Sequence, residues 1–357
     1  MYVDYYGLLD KTYNPNQIYI QSTAVDRTLQ SGYSELLGLY PPGTGGQRLT
    51  EKQAESLSDK AMPPLRIRAG NSFQQLSGLQ QDLVQVPIFN FISDSVYDID
   101  SCVYADLQYS DYSHNHPEIF DDLTAEIMPI VRHPLAVSQN YTDAQEQKMT
   151  FKNGYSIADR LKTEIFEGVP HSYYFTPEQW SNVRTLQKWV LMKPYLDSSR
   201  AMAMSKILLY PLMKMQARVN LLLLGPDITD DVKYVMNSAH DDQIANLVYW
   251  LNGVDYQFTD VPYASSVIFE LHYNSTCLAG TTKDESCFSV HTSHDGKPLA
   301  FDTCLENNAI AGSKSKLCSY PDFKAYMAKI SPKGDVRQLC AQKYFPSKKD
   351  DKEALFL

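Results

Sequence analysis

The most informative alternation of apolar and polar residues lies in residues 232–251. A short apolar run, Val232–Met236, is bounded by polar segments, which is typical of a buried strand. After Asp241 and Asp242 the apolar residues recur on one face of a helix, at Ile244, Leu247, Val248 and Leu251. The pattern predicts a strand that passes directly into an amphipathic helix, with His240 and Asp241 at the junction.

The same order of elements is predicted once before. Gln17–Ile20 is typical of a short strand, and a polar turn follows it. An amphipathic helix comes next and ends at Pro41-Pro42. Arg27 falls in the first turn of this helix. A guanidinium beside the free N–H groups of a helix start is suited to bind phosphate with two hydrogen bonds, although pairing with Asp26 or another carboxylate is the alternative.

The remaining pattern divides the chain. The run 84–92 predicts a further strand, with Pro87 indicating an edge or a bulge. Between residues 93 and 204, aromatic residues, short helical patterns and turn residues alternate. We expect residues 1–92 and 205–357 to form an α/β core, and residues 93–204 to form an inserted, mainly helical cap.

Three smaller elements are predicted outside the two junctions. Residues 1–12 have apolar side chains at helical spacing and predict the end of a helix. Residues 265–292 predict a hairpin, and Tyr320–Ile330 predicts a helix. Met202–Val219 predicts a core helix that leads to the strand at Val232.

The two junctions carry the candidate chemistry. Ligands of open α/β sheets bind at the carboxyl ends of strands and the amino ends of helices. An imidazole and a carboxyl group at such a place, His240 and Asp241, are a candidate pair for anion binding and proton transfer. The simpler alternative is that Asp241 only caps the helix.

Charge and composition exclude several classes of partner. The 357 residues carry a formal charge of −10, and 43% are hydrophobic, enough for a sizeable core. The longest Lys/Arg run is Lys348-Lys349, so we expect no nucleic-acid partner. The longest apolar segments, such as Val219–Gly225, are too short to span a bilayer, so we expect no membrane span.

The cysteines indicate an oxidising compartment. There are six, an even number, and many pairings are open. We favour two local disulfides, Cys277–Cys287 and Cys304–Cys318, and one long disulfide, Cys102–Cys340. The alternative is that the cysteines are free, buried thiols. Two glycosylation sequons begin at Asn140 and Asn274. These features predict a secreted or lysosome-like glycoprotein, although the acidic segment MYVDYYGLLD at the start is not a signal peptide.

Two motifs, in this order, resemble a known family. YIQSTAVDRT (19–28) and MNSAHDD (236–242) resemble the Y-I-R-S-T-D-x-x-R-T and S-A-H-D segments of the histidine acid phosphatases. The LGLYPPG end of the first helix, the VPIF strand and Cys102 also fall where that family has similar features. The resemblance covers most of the chain. It implies a mixed, mostly parallel sheet flanked by helices, like the core of phosphoglycerate mutases, with an inserted helical cap.

The resemblance also implies roles for single residues. The family hydrolyses phosphomonoesters through a phosphohistidine intermediate. Arg27 matches a phosphate-binding arginine, His240 matches a histidine that contacts the phosphoryl group, and Asp241 matches the acid that protonates the leaving alcohol. Gln21 stands where the family has an arginine, and Ala24 where it has an aspartate. Both changes are expected to be tolerated.

The family's R-H-G-x-R nucleophile motif has no counterpart in the chain. Only Arg132-His133 joins an arginine to a histidine, and Pro134 follows where glycine is needed. His294-Asp295-Gly296 repeats the His-Asp pair, but Asp-Gly between strand-like runs is typical of a hairpin turn. We therefore expect no nucleophile and no useful phosphatase activity in the chain as written, and we expect the sequence to be an N-terminally truncated form of an active enzyme.

Two other functions stay open at this point. One is a catalytically inactive paralogue that binds a phosphate-bearing ligand, and the other is a structural or interaction protein of the same fold. The expected ligand is a small phosphomonoester or inorganic phosphate. We expect no cofactor and no metal, and a homodimer stays open.

Overall fold

The computed structural model describes residues 2–41, 86–90, 102–170, 173–225, 231–304 and 317–346. Its helices are α1 (Asp26–Leu39), α2 (Val103–Asn115), α3 (Asp121–Ser138), α4 (Asp143–Gln147), α5 (Phe151–Phe166), α6 (Pro177–Met192), α7 (Asp197–Leu224), α8 (Asp241–Leu251), α9 (Ser275–Leu278), α10 (Tyr320–Ile330) and α11 (Val336–Cys340). Its strands are β1 (Ile18–Ser22), β2 (Tyr234–Ser238), β3 (Val267–Tyr273), β4 (Phe288–His294), β5 (Lys297–Pro298) and β6 (Cys318–Ser319).

These elements group into two compact units. The first contains residues 1–95 and 211–239, and the second contains residues 96–210 and 240–357. The predicted division into a core (1–92 and 205–357) and a cap (93–204) rests on different criteria and stays a prediction.

A parallel strand pair forms the centre of the first unit. β1 pairs with β2 in a register that sets Ile18 opposite Tyr234 and Ser22 opposite Ser238. On the other side of β1, Gln21 pairs with Phe89, also in parallel. The buried residues of this unit include Ile18, Ile20, Leu36, Leu39 and Tyr40. The order strand, turn, helix that the pattern predicts for residues 17–40 is confirmed.

The close packing of α1 on the strands depends on Gly32. A Cβ atom at this position would lie 3.0 Å from Cδ1 of Ile88 and 3.6 Å from Cβ of Ser238. Of the predicted strand 84–92, the described part is 86–90, where Phe89 forms a single bridge. The rest of that prediction lies outside the described residues.

The predicted helix at residues 1–12 is wrong. The described part of this segment forms turns, and the N–H groups of Leu8 and Leu9 both donate to the carbonyl of Tyr2. Gly7 has a φ of +60°, which an α-helix does not accommodate. The apolar residues of this segment instead belong to a turn in which the chain folds back, and Leu9 is buried against β1 and α1.

Helices α3, α5 and α6 form a helical core in the second unit. Their buried side chains include Met128, Val131, Leu135, Leu161 and Leu186. Thr142, Thr150 and Thr176 begin α4, α5 and α6 with reciprocal capping boxes, in which the residue three positions later bonds back to the cap. The helical character expected for residues 93–204 is confirmed over its described part.

An antiparallel sheet and three disulfides complete the second unit. β3 pairs with β4 over their whole length, and β5 and β6 both pair with β4. The disulfides Cys102–Cys340, Cys277–Cys287 and Cys304–Cys318 are the three predicted pairs. Tyr326 of α10 donates its hydroxyl to the carbonyl of Leu251 at 2.6 Å, which fixes α10 against α8.

Helix α7 is the one described helix that is long and apolar enough to cross a membrane, with a mean hydropathy of 1.3 over 18 residues. A single helix of this kind is weak evidence, because core helices of soluble proteins have the same length and composition. α7 also carries Arg200, Lys206, Lys214 and Arg218. The expectation of no membrane span is therefore consistent with the structure.

Candidate active site

The junction between β1 and α1 is built from hydroxyl groups. The hydroxyls of Thr23 and Thr28 lie 2.7 Å apart, and Thr28 also donates to the carbonyl of Val25 at 2.8 Å. The Ser238 hydroxyl, at the end of β2, donates to the carbonyl of Thr28 at 2.7 Å. Both threonines are almost fully buried. Short side chains thus hold the turn and fix the direction in which α1 begins.

Arg27 lies in the first turn of α1, as predicted, and is exposed. The preceding cap position, Val25, contributes no side-chain hydrogen bond to the helix start. An anion bound here would meet a guanidinium and the positive end of a helix of 14 residues. The geometry of this junction therefore suits a phosphate group.

The junction between β2 and α8 is also where the sequence predicts it. His240 has extended backbone geometry at the cap position, and its N–H donates to Oε1 of Gln243 at 3.0 Å. Oδ1 of Asp241 accepts the N–H of Asp242 at 3.1 Å. Asp241 is exposed at the helix start, whereas Asp242 is partly buried. The second junction therefore presents an imidazole and two carboxyl groups.

Three tyrosines interact electrostatically with these carboxyl groups. Burial, together with the charges of Asp242 and Asp241, raises the pKa of Tyr109 to about 12. The pKa values of Tyr155 and Tyr195 are raised in the same way, first by burial and also by nearby carboxylates. Burial and the neighbouring Asp241 raise the pKa of Asp242 above its ordinary value, against the opposing effect of His240. The surroundings of Asp242 therefore favour its protonated form.

Arg200 and Asn246 support the second junction from inside. Nε of Arg200 donates to Oδ1 of Asn246 at 2.9 Å, and its guanidinium also donates to the carbonyls of Met192 and Tyr195. Nδ2 of Asn246 donates to the carbonyls of Leu191 and Asp242 at 2.9 and 2.8 Å. These bonds hold the first turn of α8 against the end of α6.

Sequence reasoning missed Asp242, the three tyrosines, Arg200 and Asn246 as parts of this junction. Asp242 was visible as the neighbour of Asp241. Arg200 had no clear signal, because polar residues directly precede it and the same helix carries three other basic residues. The tyrosines had no signal either, since their positions depend on how α2, α5 and α7 pack.

The two other histidine motifs, Arg132-His133 and His294-Asp295-Gly296, lie outside the two junctions. Nδ1 of His133, which is well exposed, pairs with Glu146 at 3.0 Å. His294 is buried, and its ring bonds to the hydroxyls of Tyr256 and Ser265. Asp295 and Gly296 both have positive φ values between β4 and β5, so the predicted hairpin turn is confirmed. No group of three or more residues suited to a metal is found within the described residues.

The family is decided by comparison with known proteins. The family model described as "Histidine phosphatase superfamily (branch 2)" matches residues 1–294. The chain belongs to this superfamily. The membership that the motifs at 19–28 and 236–242 predict is confirmed, and by family the protein is a phosphatase.

Relatives within the superfamily include acid phosphatases. Human lysosomal acid phosphatase is 23% identical over 347 residues, which cover 94% of this chain and 67% of the relative. Bovine lysosomal acid phosphatase is 24% identical over 339 residues, with the same shares. Both alignments extend far beyond the two motifs, so the resemblance is a property of the whole chain.

Solved structures of phytases share the fold. The phytase of Citrobacter braakii has a TM-score of 0.55 at 14% identity, covering 94% of this chain and 84% of that one. The phytase of Klebsiella sp. ASR1 has a TM-score of 0.53 at 11% identity, covering 96% and 83%. The predicted α/β class is confirmed by this likeness.

Proposed function

We propose that this histidine phosphatase binds a phosphomonoester or inorganic phosphate through Arg27 and His240, with Asp241 as the proton donor to the leaving alcohol. The observation that carries this proposal is the register of β1 and β2. Because Ser22 and Ser238 are opposite each other in a parallel pair, both strands end at one edge and each passes into a helix. Such an edge is the usual ligand site of an α/β sheet.

Each residue has chemistry that suits its role. A guanidinium recognises two phosphate oxygens at once, which fixes the orientation of the group. A carboxyl group must hold a proton to act as a general acid, so the reaction would be favoured at acidic pH.

We propose further that the 357-residue chain binds phosphate without useful turnover. Nucleophilic phosphoryl transfer needs an attacking group aligned with phosphorus. The sequence contains no Arg-His-Gly motif. The other histidines with a family-like neighbour, His133 and His294, are respectively on an exposed helix face and in a buried bonding network. A phosphate-binding paralogue is therefore the second candidate function.

The test is a pair of measurements on the purified chain. Isothermal titration with inorganic phosphate and with vanadate is expected to give submillimolar dissociation constants. Hydrolysis of p-nitrophenyl phosphate near pH 5 is expected to stay at background. Phosphate binding together with hydrolysis would contradict the proposed lack of activity. If the chain neither binds phosphate nor hydrolyses the ester, a structural role is the function that remains.

We also propose a secreted or lysosome-like location, with glycans on Asn140 and Asn274. Both asparagines are exposed. The three disulfides and the lysosomal relatives are compatible with that location. Endoglycosidase treatment of the protein made in a secreting eukaryotic cell is expected to lower its apparent mass in two steps, and to lower it in one step for Asn274→Gln. Sedimentation of the same material would decide between monomer and homodimer.

A further inference from the structure

Strand β3 forms one edge of the antiparallel sheet in the second unit. The strands follow one another in the order β3, β4, β5, and β6 also pairs with β4. In the part of the chain that the structure describes, β4 is therefore the one strand paired with β3. The register between them is continuous, from Val267 opposite His294 to Tyr273 opposite Phe288. The other side of the β3 backbone is not used by the sheet.

The hydrogen bonds at the two ends of β3 show which residues face this open side. The N–H of Asn274 donates to the carbonyl of Cys287 at 2.8 Å, and the N–H of Asp295 donates to the carbonyl of Ser266 at 3.0 Å. Bonded and non-bonded pairs alternate along an antiparallel ladder, so the even-numbered residues of β3 bond to β4. The residues that direct their N–H and C=O groups away from β4 are the odd-numbered ones, Val267, Phe269, Leu271 and Tyr273.

The side chains of β3 are also less buried than those of β4. Leu271 is half-buried and Tyr273 is 56% exposed. Their opposite residues on β4, Val290 and Phe288, are both 1% exposed. Edge strands that stay unpaired usually carry lysine, proline or a bulge, and β3 has none of these. The edge is therefore suited to pair with another strand.

The end of β3, F-E-L-H-Y, is complementary to itself when it is read in the opposite direction. If two copies lie antiparallel with Leu271 opposite Leu271, Phe269 of each copy is opposite Tyr273 of the other. In the same register Glu270 is opposite His272. Aromatic pairs and oppositely charged pairs across strands stabilise a sheet. Because the outward N–H and C=O groups of opposed residues also meet, each such pair exchanges two hydrogen bonds.

Charge and hydrogen bonding select this register over its neighbours. Centring the pair on Glu270 or on His272 would set like side chains opposite each other, which is destabilising when both are charged. Centring it between two residues would set outward backbone groups against residues whose groups point to β4. Leu271 is thus the centre that satisfies both the backbone and the side chains.

Glu270 and His272 are accessible for such a contact. Their side chains are 33% and 48% exposed. Oε2 of Glu270 lies 3.0 Å from Nδ1 of His291 on β4, which holds the carboxylate on this face of the sheet. Nε2 of His272 lies 3.8 Å from the same oxygen, too far for a hydrogen bond. The imidazole of His272 can therefore bond to the carboxylate of a second copy.

We propose that two copies of the chain pair through the β3 edge, antiparallel about Leu271, and form a homodimer with one continuous sheet. A self-complementary patch is what a two-fold dimer requires. The proposal does not depend on the phosphatase function. The contact is centred on one short strand, so the dimer is expected to be weak and reversible, with a Kd of about 10 µM.

The first test is the oligomeric state of the purified chain. Sedimentation velocity at pH 6, where histidine side chains in water are mostly charged, is run from about 1 to about 100 µM, on both sides of the expected Kd. Glycans are removed beforehand, because Asn274 follows directly after β3. A reversible equilibrium between monomer and dimer is expected. A chain that stays monomeric throughout would overturn the proposal and leave the edge to a strand of another protein.

Charge variants connect the dimer to β3. His272→Glu sets two carboxylates opposite each other on both sides of the two-fold axis, so dimerisation is expected to weaken at least about tenfold. His272→Lys keeps the positive charge and is expected to stay within about threefold of the parent. The matched control His133→Glu makes the same charge change at an exposed helical histidine and is expected to have no effect. Equal effects of His272→Glu and His133→Glu would overturn the assignment.

Cross-linking tests the register itself. The six native cysteines are all in disulfides, so an added thiol is the one reactive group. In Leu271→Cys the two new cysteines would be opposite each other with Cα atoms about 5.5 Å apart, within reach of a disulfide. In Tyr273→Cys they would be displaced by about 13 Å along the strands. Mild oxidation is expected to link Leu271→Cys into a covalent dimer and to leave Tyr273→Cys unlinked. Equal linking of both variants, or of neither, would refute pairing about Leu271.

Discussion

The two strand-to-helix junctions have the same backbone plan but opposite chemistry. The first, from Ser22 to Thr28, consists of short hydroxyl side chains and one exposed guanidinium. The second, from Ser238 to Asp242, consists of an imidazole and two carboxyl groups that interact electrostatically with half-buried tyrosines. The first junction suits an anion, whereas the second suits a proton donor.

This difference shows what the shared backbone contributes and what it leaves to side chains. In both junctions a strand ends and the amino end of a helix is exposed, which by itself favours negative charge. The first junction adds positive charge to that field. The second opposes the field with two carboxyl groups, and burial raises the pKa of one of them, Asp242, above its ordinary value. In the proposed function the first environment holds the phosphate and the second protonates the leaving alcohol.

The largest expected effect concerns the support of the second junction. Arg200→Leu is expected to lower the free energy of unfolding by about 4 kcal/mol, because it leaves Asn246 and two backbone carbonyls without their buried donor. Chemical denaturation measures it. The control Arg160→Leu removes an exposed pair with Glu164 and should change stability by less than about 0.5 kcal/mol. A similar, small effect of both variants would show that Arg200 is not a support of α8.

The next effect distinguishes the junctions by anion binding. Arg27→Ala is expected to weaken phosphate binding about 100-fold, since charge-assisted hydrogen bonds contribute roughly 1.5–3 kcal/mol each. Asp241→Asn should leave phosphate affinity within about threefold, because this carboxyl is assigned to the alcohol and not to the phosphate. Titration calorimetry with inorganic phosphate decides the matter. If Asp241→Asn weakened phosphate binding more than Arg27→Ala did, the roles assigned to the two junctions would have to be exchanged.

The sequence predicted the junctions but only part of their chemistry. The periodicity of the apolar residues, together with the turn residues, placed β1, α1, β2 and α8 correctly, because these signals are local. Arg27, His240 and Asp241 followed from their positions at the helix starts. Tyr109, Tyr155 and Tyr195 are separated by long stretches of chain, and no local rule indicates that they meet. Their association depends on the packing of α2, α5 and the start of α7.

The failed prediction at residues 1–12 has a similar cause. The spacing of apolar side chains is helical there, but Gly7 adopts a left-handed conformation and the chain folds back. The disulfides could be predicted because two of the three join cysteines 10 and 14 residues apart, and pairing these leaves one choice for the third. Local constraints were readable, whereas contacts between distant segments were not.

A smaller effect concerns the pH dependence of stability at the second junction. Asp242 has a folded-state pKa above its ordinary value of 3.8, mainly through burial. Its contribution to the free energy of unfolding is therefore complete below pH 3.8 and is lost as the pH rises through the folded-state value. Asp242→Asn should gain at least about 0.5 kcal/mol over the parent at pH 7, but not at pH 4. Denaturation at the two pH values measures this, and the absence of any gain at pH 7 would contradict it.

The smallest expected effect compares buried glutamines, one beside each junction. Gln21 of β1 is 1% exposed, and neither atom of its amide has a hydrogen-bond partner within the described residues. Gln108 of α2 is equally buried, but its carbonyl oxygen accepts from Ser199 and Leu196. A buried polar group without a partner destabilises the folded state by about 1–3 kcal/mol, and a bonded one does not. Gln21→Met is therefore expected to raise the free energy of unfolding by about 1 kcal/mol, and Gln108→Met to lower it by about as much. Denaturation midpoints measure both changes. A loss of stability in Gln21→Met would mean that its amide is hydrogen-bonded in solution, for example to an internal water molecule.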